Sequence, residues 1–276
     1  MLFTKSLLLI GAATVVMARE RFDAIASGAL FTGKDNADME VNKLDTFRDP
    51  QNHASAVASI LWNGATLAKF IPAADGLATD PYAYQDFLRE ISHFKGFKKA
   101  GEQRRKLDLN GRLEQLEEEI DRKYRSFNDD EDINVARHFR QLIPNNLRKE
   151  DIYGDRWLLS QIVIRQSPHS NAVSFEVGRI ALEIRRERNG RAIIEPQTAT
   201  LVKTDFRVDE KYLMENAQTL AEWVPVANVR TVLNLLTSKR SPNRGLTHWI
   251  FGEEDVAGSC DSGYQGDISE YAMRRH

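Results

Sequence analysis

Hydrophobic positions fall into three regimes along the chain: an uncharged opening run, a stretch with the three-and-four spacing of helices, and, beyond about residue 150, alternation with a period of two. Ser6 to Ala18 carries no charge and is bracketed by Lys5 on one side and Arg19, Glu20 and Arg21 on the other. Three readings fit it. Residues 1–18 can anchor in a bilayer if Lys5 snorkels to the headgroups, although a full span takes about 20 apolar residues. Val16-Met17-Ala18 offers the short side chains of a secretory cleavage site after Ala18. Alternatively the run continues as a buried helix through Phe22, Ile25 and Leu30 to Phe31. The anchor, with a membrane or cell-envelope location, is the working expectation; a secreted or periplasmic chain after cleavage is the alternative.

Asp35 to Asn52 is polar and contains Pro50, which predicts a linker or exposed excursion. Ala54 to Ile71 is apolar on most faces and stopped by Pro72, a helix that is buried or lies on a membrane, with burial favoured because Asn63 and Lys69 make a poor span. Asp80-Pro81 starts another, with Tyr84, Phe87, Leu88, Ile91 and Phe94 on its core face. Leu109, Leu113, Leu116, Ile120 and Phe127 form a short coiled-coil-like seam, which must dock on this chain or on a second copy. Glu118 with Arg122, Glu119 with Lys123 and Asp121 with Arg125 are acidic-first pairs four residues apart. Val135, Phe139, Leu142 and Ile143 line a further helix that ends at Pro144.

The period then changes. Trp157 to Arg165 is a buried strand, and in the next strand Val173, Phe175 and Val177 hold one parity while Ile180, Leu182 and Ile184 hold the other. That flip calls for a bulge at Gly178-Arg179. Arg188 to Arg191, "RNGR", is a hairpin signal, and Thr198 to Val208 alternates again after Pro196. Asp209 caps a helix with Leu213, Ala217, Leu220 and Val224 on one face, and Val229, Val232, Leu233 and Leu236 mark another. Leu246 to Phe251 has the composition of a last strand, and a flexible tail, 253–276, follows. The predicted fold is α+β: residues 19–150 helical, and residues 151–252 a curved antiparallel sheet of three to five strands covered by helices.

Composition narrows the function classes. The 276 residues, 42% hydrophobic and 28% charged, are ordinary for a globular protein. A net charge of −2 supplies no global field for nucleic acid, which is not an expected partner. Anionic contacts must therefore come from a local patch. Lys95, Lys98, Lys99, Arg104, Arg105 and Lys106 set six cations against the single Glu102 and are candidates for contact with an anionic surface. Arg185, Arg186, Arg188 and Arg191 cluster at the hairpin tip, where they blunt edge pairing or grip an acidic partner. Together with Leu109, Leu113, Leu116 and Ile120 they are the candidate protein-partner residues.

Catalytic signatures are missing. The chain has no phosphate-binding glycine loop, no HExxH, no CxxC and no GxSxG, and its six histidines share no metal-ligand spacing, so neither cofactor nor metal is expected. Cys260 is the only cysteine, which excludes an intramolecular disulfide. It lies in a glycine-rich turn and serves as a nucleophile only if His53, His169 or His248 is brought to it.

The order of parts over residues 80–210, with the run Thr200 to Glu210, "TLVKTDFRVDE", resembles the inner-membrane assembly factors of type IV secretion and conjugation systems. That resemblance implies a periplasmic domain with a curved sheet of the nuclear-transport-factor-2 type. This chain continues past the corresponding strand with two more helices and a tail. The expected function is a membrane-tethered, non-enzymatic scaffold or adaptor of an envelope or secretion-type assembly, acting through protein partners that include a second copy. The alternatives are a structural protein of a virion or other large assembly, and an exported hydrolase using Cys260.

Overall fold

A computed structural model describes residues 20–22, 24–33, 41–70, 82–109, 114–125, 132–142, 156–186, 192–194, 199–224 and 228–236. The described residues form a mixed, open sheet between two helical layers. Its strands are β1 (Ala24–Thr32), β2 (Phe97–Lys106), β3 (Arg156–Gln166), β4 (Val173–Arg186), β5 (Ala192–Ile194) and β6 (Thr200–Val208). The order across the sheet is β1-β3-β4-β6-β2, with β5 paired to the far end of β4. β1 runs parallel to β3, and the other pairings are antiparallel.

One face of the sheet carries Leu158, Ile162, Ile164, Val173, Phe175, Val177 and Phe206. Six helices close it: α1 (Lys43–Arg48), α2 (His53–Leu67), α3 (Ala83–His93), α6 (Glu210–Glu215), α7 (Ala217–Trp223) and α8 (Val229–Leu236). The second face carries Trp157, Leu159, Val163, Ile180, Leu182 and Leu201 beneath α4 (Glu114–Arg125) and α5 (Asp132–Gln141). Each large apolar side chain sealed this way contributes about 1.5–3 kcal/mol.

Local signals place the helix ends. Asn42 accepts from the Leu44 amide at 3.0 Å to start α1, and Asp209 accepts from the Tyr212 amide at 3.1 Å to start α6. α2 stops before Pro72. The Phe70 amide reaches back to the Ala65 carbonyl at 2.8 Å and the Lys69 amide to the Thr66 carbonyl at 3.0 Å, a Schellman closure. This requires the left-handed region at Lys69, whose φ is 54°. Lys69→Gly is therefore expected to raise stability by about 1 kcal/mol, read from the urea midpoint, because glycine enters that region without strain.

Several expectations change. The N-terminal half is not all helical: it supplies both edge strands, and Ile25 to Phe31 is strand β1 rather than the end of a helix. The sheet is mixed rather than antiparallel, and it is covered on both sides. No bulge lies at Gly178-Arg179, where β4 pairs with β3 in unbroken register. The parity flip arises because the first half of β4 packs mainly under one helical layer and the second half mainly under the other. The irregularity is instead in β2, between Lys99 and Gly101. The helix expected after Asp209 breaks at Asn216 into α6 and α7. The predicted strand at 246–251 and the tail lie outside the described residues.

Candidate functional site

The ionisable groups concentrate in two places, one sealed and one open. The sealed cluster lies on the second face. Glu176, 2% exposed, receives the Tyr124 hydroxyl at 2.5 Å, Arg165 at 3.1 Å and Lys203 at 3.1 Å. Lys203 is equally buried and also lies 3.5 Å from Asp205, whose pKa burial raises from its ordinary value. Strand register explains the grouping. Glu176 stands opposite Asp205, a like-charged pair, with Lys203 two residues along β6 on the same face. Tyr124 descends from α4 where Gly178 leaves room: a β-carbon there would meet the Tyr124 hydroxyl at 3.1 Å and Phe139 at 3.2 Å. The buried charges are satisfied within the cluster, which ties α4 to β3, β4 and β6.

Two histidines, His53 buried and His138 half-buried, add a pH dependence. His53 bonds through Nε2 to the Phe47 carbonyl oxygen at 3.1 Å, and His138 of α5 faces the sheet at Gly28 and Gln161. Burial holds both imidazoles below their ordinary value of 6.5. As pH falls through 6.5 the unfolded chain binds protons first. The stabilisation is thus full above 6.5 and is lost as pH drops through the folded values. Asp205, whose pKa burial raises, works in the opposite sense. Urea midpoints are expected to decline from about pH 7 to about pH 5, and His138→Gln to flatten that decline.

The open place is β2. One sheet edge, β1, is covered: the Ser27 hydroxyl donates to the Leu236 carbonyl of α8 at 2.9 Å, and α5 packs from the other face. The β2 edge is exposed along nearly its whole length. The candidate anionic-contact residues come together here, with Lys98, Lys99, Arg104, Arg105 and Lys106 in the strand and Lys95 in the turn before it. Glu102 accepts from Lys99 at 2.7 Å and from Arg104 at 2.7 Å and 2.8 Å, which lowers its pKa, and Lys98 pairs with Asp209 at 2.7 Å. The Lys98, Lys99 and Arg104 side chains still keep between 50% and 68% of their surface exposed. Phe97 anchors the strand, its ring 4.7 Å from Phe175 and 4.8 Å from Phe94, while Phe175 stacks on Phe206 at 4.7 Å.

A third feature sits on the first face. Arg179 of β4 donates to Glu20 at 2.7 Å and lies 5.6 Å above the buried Tyr84 ring. Phe22, two residues after Glu20, is 2% exposed. The chain is therefore pinned to the body two residues after the apolar run ends.

The other predicted residues separate. Leu109, Leu116 and Ile120 are buried in this chain's own second core, with Tyr124 continuing their face; Leu109 precedes the helix, and Leu113 and Phe127 lie outside the described residues. Arg122 pairs with Glu119 and Asp108, Lys123 with Asp108, and Arg140 with Asp121, while Lys123 also acts electrostatically on Glu119 as the spacing predicts. Arg185 and Arg186 belong to β4, which pairs antiparallel with β5, but the expected turn with Arg188 and Arg191 lies outside the described residues. Cys260 and His248 lie outside them too, and His53 is engaged in the core. Among the described residues no group of three or more histidine, cysteine, aspartate or glutamate side chains is arranged to hold a metal, and no helix is long and apolar enough to cross a membrane.

Glu176 and Lys203 escaped the pattern reading, as did exposed Trp223 and Leu67, at 67% and 60%. The first two left only a weak signal, since Glu176 shares its strand with Arg179 and Glu183, and Lys203 shares its strand with Asp205 and Arg207. The other two had none, because period alone does not say which apolar residue of a short helix faces outward.

No family model and no curated protein matches the chain. Among solved structures, the activated monomer of Cyt2Ba from Bacillus thuringiensis subsp. israelensis is similar at 10% identity and a TM-score of 0.37, over 66% of this chain and 98% of that one. The Evf virulence factor is similar at 12% identity and a TM-score of 0.36, over 80% of this chain and 87% of that one. Both are too distant to place the chain in a family.

Proposed function

We propose that the protein is a non-enzymatic scaffold or adaptor of an envelope or secretion-type assembly, tethered by residues 1–18 and acting through protein contacts. The observation that carries this reading is the clamp of Glu20 on Arg179 together with the burial of Phe22. It fixes the chain to the folded body two residues after the apolar run in the sequence, as suits a protein that presents fixed surfaces at a membrane. The sealed Glu176 cluster supports the non-enzymatic side of the proposal, because its charges are spent on one another and on holding α4. Trp223, at the end of α7, is the protein-contact candidate on the first helical layer. A large, rigid side chain left outside the core is the residue type that dominates interface energies.

The test is a photo-crosslinking amino acid placed at Trp223 in the full chain, in the cells that make it, with exposed Glu118 on α4 as the comparison site. Discrete protein adducts at 223 and few at 118 are expected, and their masses distinguish a second copy from another protein. Equal or absent adducts at both positions would contradict a scaffold working through this layer.

A further inference from the structure

We infer that the β2 edge rests on an anionic lipid surface, the surface of the membrane that residues 1–18 enter; this rests on the tether reading above. Two observations meet here. The first is charge. Lys95 to Lys106 sets six cations against one acid, on a strand whose outer edge is exposed. A lysine or two and a bulge suffice to discourage edge pairing. Six cations make a local field that reaches about 8–10 Å in physiological salt, and they repel a second copy of the same edge.

The second observation is position. Arg179, which clamps Glu20, stands in register with Val202 of β6, and Val202 with Arg104 of β2. Paired residues share a face, so the clamp and Arg104 lie on one face two strands apart, about 10 Å. Glu102 acts electrostatically on both Arg179 and Tyr84, as that spacing requires. The apolar run ends at Ala18, two residues before the clamp. A bilayer holding residues 1–18 therefore has its headgroups within reach of the β2 cations. An acidic protein strand fits the charge but has no such reason to be there.

The experiment uses the full chain with Cys260→Ser and Ala100→Cys. Ala100 is exposed, uncharged and in the β2 irregularity, and it carries a fluorophore. The labelled protein is reconstituted into phosphatidylcholine vesicles with or without phosphatidylglycerol, and quenching by aqueous iodide is measured. Quenching several-fold weaker in the phosphatidylglycerol vesicles is expected. The protection should be lost in high salt and in the triple variant Arg104→Glu, Arg105→Glu, Lys106→Glu. The milder triple variant to glutamine, at the same exposed sites, should lie between. Three cations at about fivefold each correspond to roughly a hundredfold weaker attraction to the anionic surface. A chain retained in both vesicle types but quenched equally would overturn this inference alone. A chain that leaves every vesicle would overturn the tether and this inference with it. Protection by added polyglutamate without protection by phosphatidylglycerol would assign the edge to an acidic polypeptide instead.

Discussion

Glu176→Leu is expected to lower the unfolding free energy by about 3–5 kcal/mol, measured by urea denaturation followed in the far ultraviolet. The loss comes from what the substitution leaves behind. Lys203 is 3% exposed at its side chain and would keep its charge with only Asp205, at 3.5 Å, for a partner. The Tyr124 hydroxyl and Arg165 would lose an acceptor at the same time. Because the penalty belongs to the uncompensated cation, Glu176→Leu combined with Lys203→Met is expected to recover much of it, despite removing two charges rather than one. A double variant no more stable than the single one would show that the cluster stabilises through its bonds to Tyr124 and Arg165 instead. Hydrogen exchange in α4 should quicken with the single variant, since Tyr124 is the link from that helix to the sheet.

Phe175→Ala is the second large effect, again about 3–5 kcal/mol. Phe175 is 2% exposed and lies between the rings of Phe97 and Phe206 at 4.7 Å each. Its removal opens a cavity and also frees the ring that anchors β2. Amide exchange in residues 97–106 should therefore accelerate more than in β3, whose inner positions are held from both sides by β1 and β4. Uniform acceleration across the sheet would mean that β2 is not held through this ladder. The consequence reaches the proposed lipid contact, because Phe97 anchors the basic edge to the core.

Much of the helical layer is legible from apolar spacing: the core faces of α3, α5 and α8 are those the period marks, and α2 is buried on most sides as its all-round apolar composition indicates. The two edge strands are not, for opposite reasons. β1, "AIASGALFT", is covered on both faces and shows no alternation, so it blends into the apolar run before it. β2 is exposed on both faces beyond Phe97 and reads as a solvated charge run. The flip in β4 is a real feature of the sequence with a different cause, since a strand under two helical layers can change its favoured face without changing register. Of the candidate sites, the six cations between Lys95 and Lys106 are visible as a run, while their display along one sheet edge depends on the pairing of β2 with β6 across about a hundred residues of sequence. The Glu20–Arg179 clamp joins residues still further apart and leaves no local trace.

The tether is tested most directly by the intact mass of the protein recovered from separated membrane and soluble fractions of the cells that make it. A chain retaining residues 1–18 and confined to the membrane fraction, released by detergent and not by high salt, is expected. A soluble chain beginning at Arg19, or a soluble chain that keeps the apolar run, would contradict the tether.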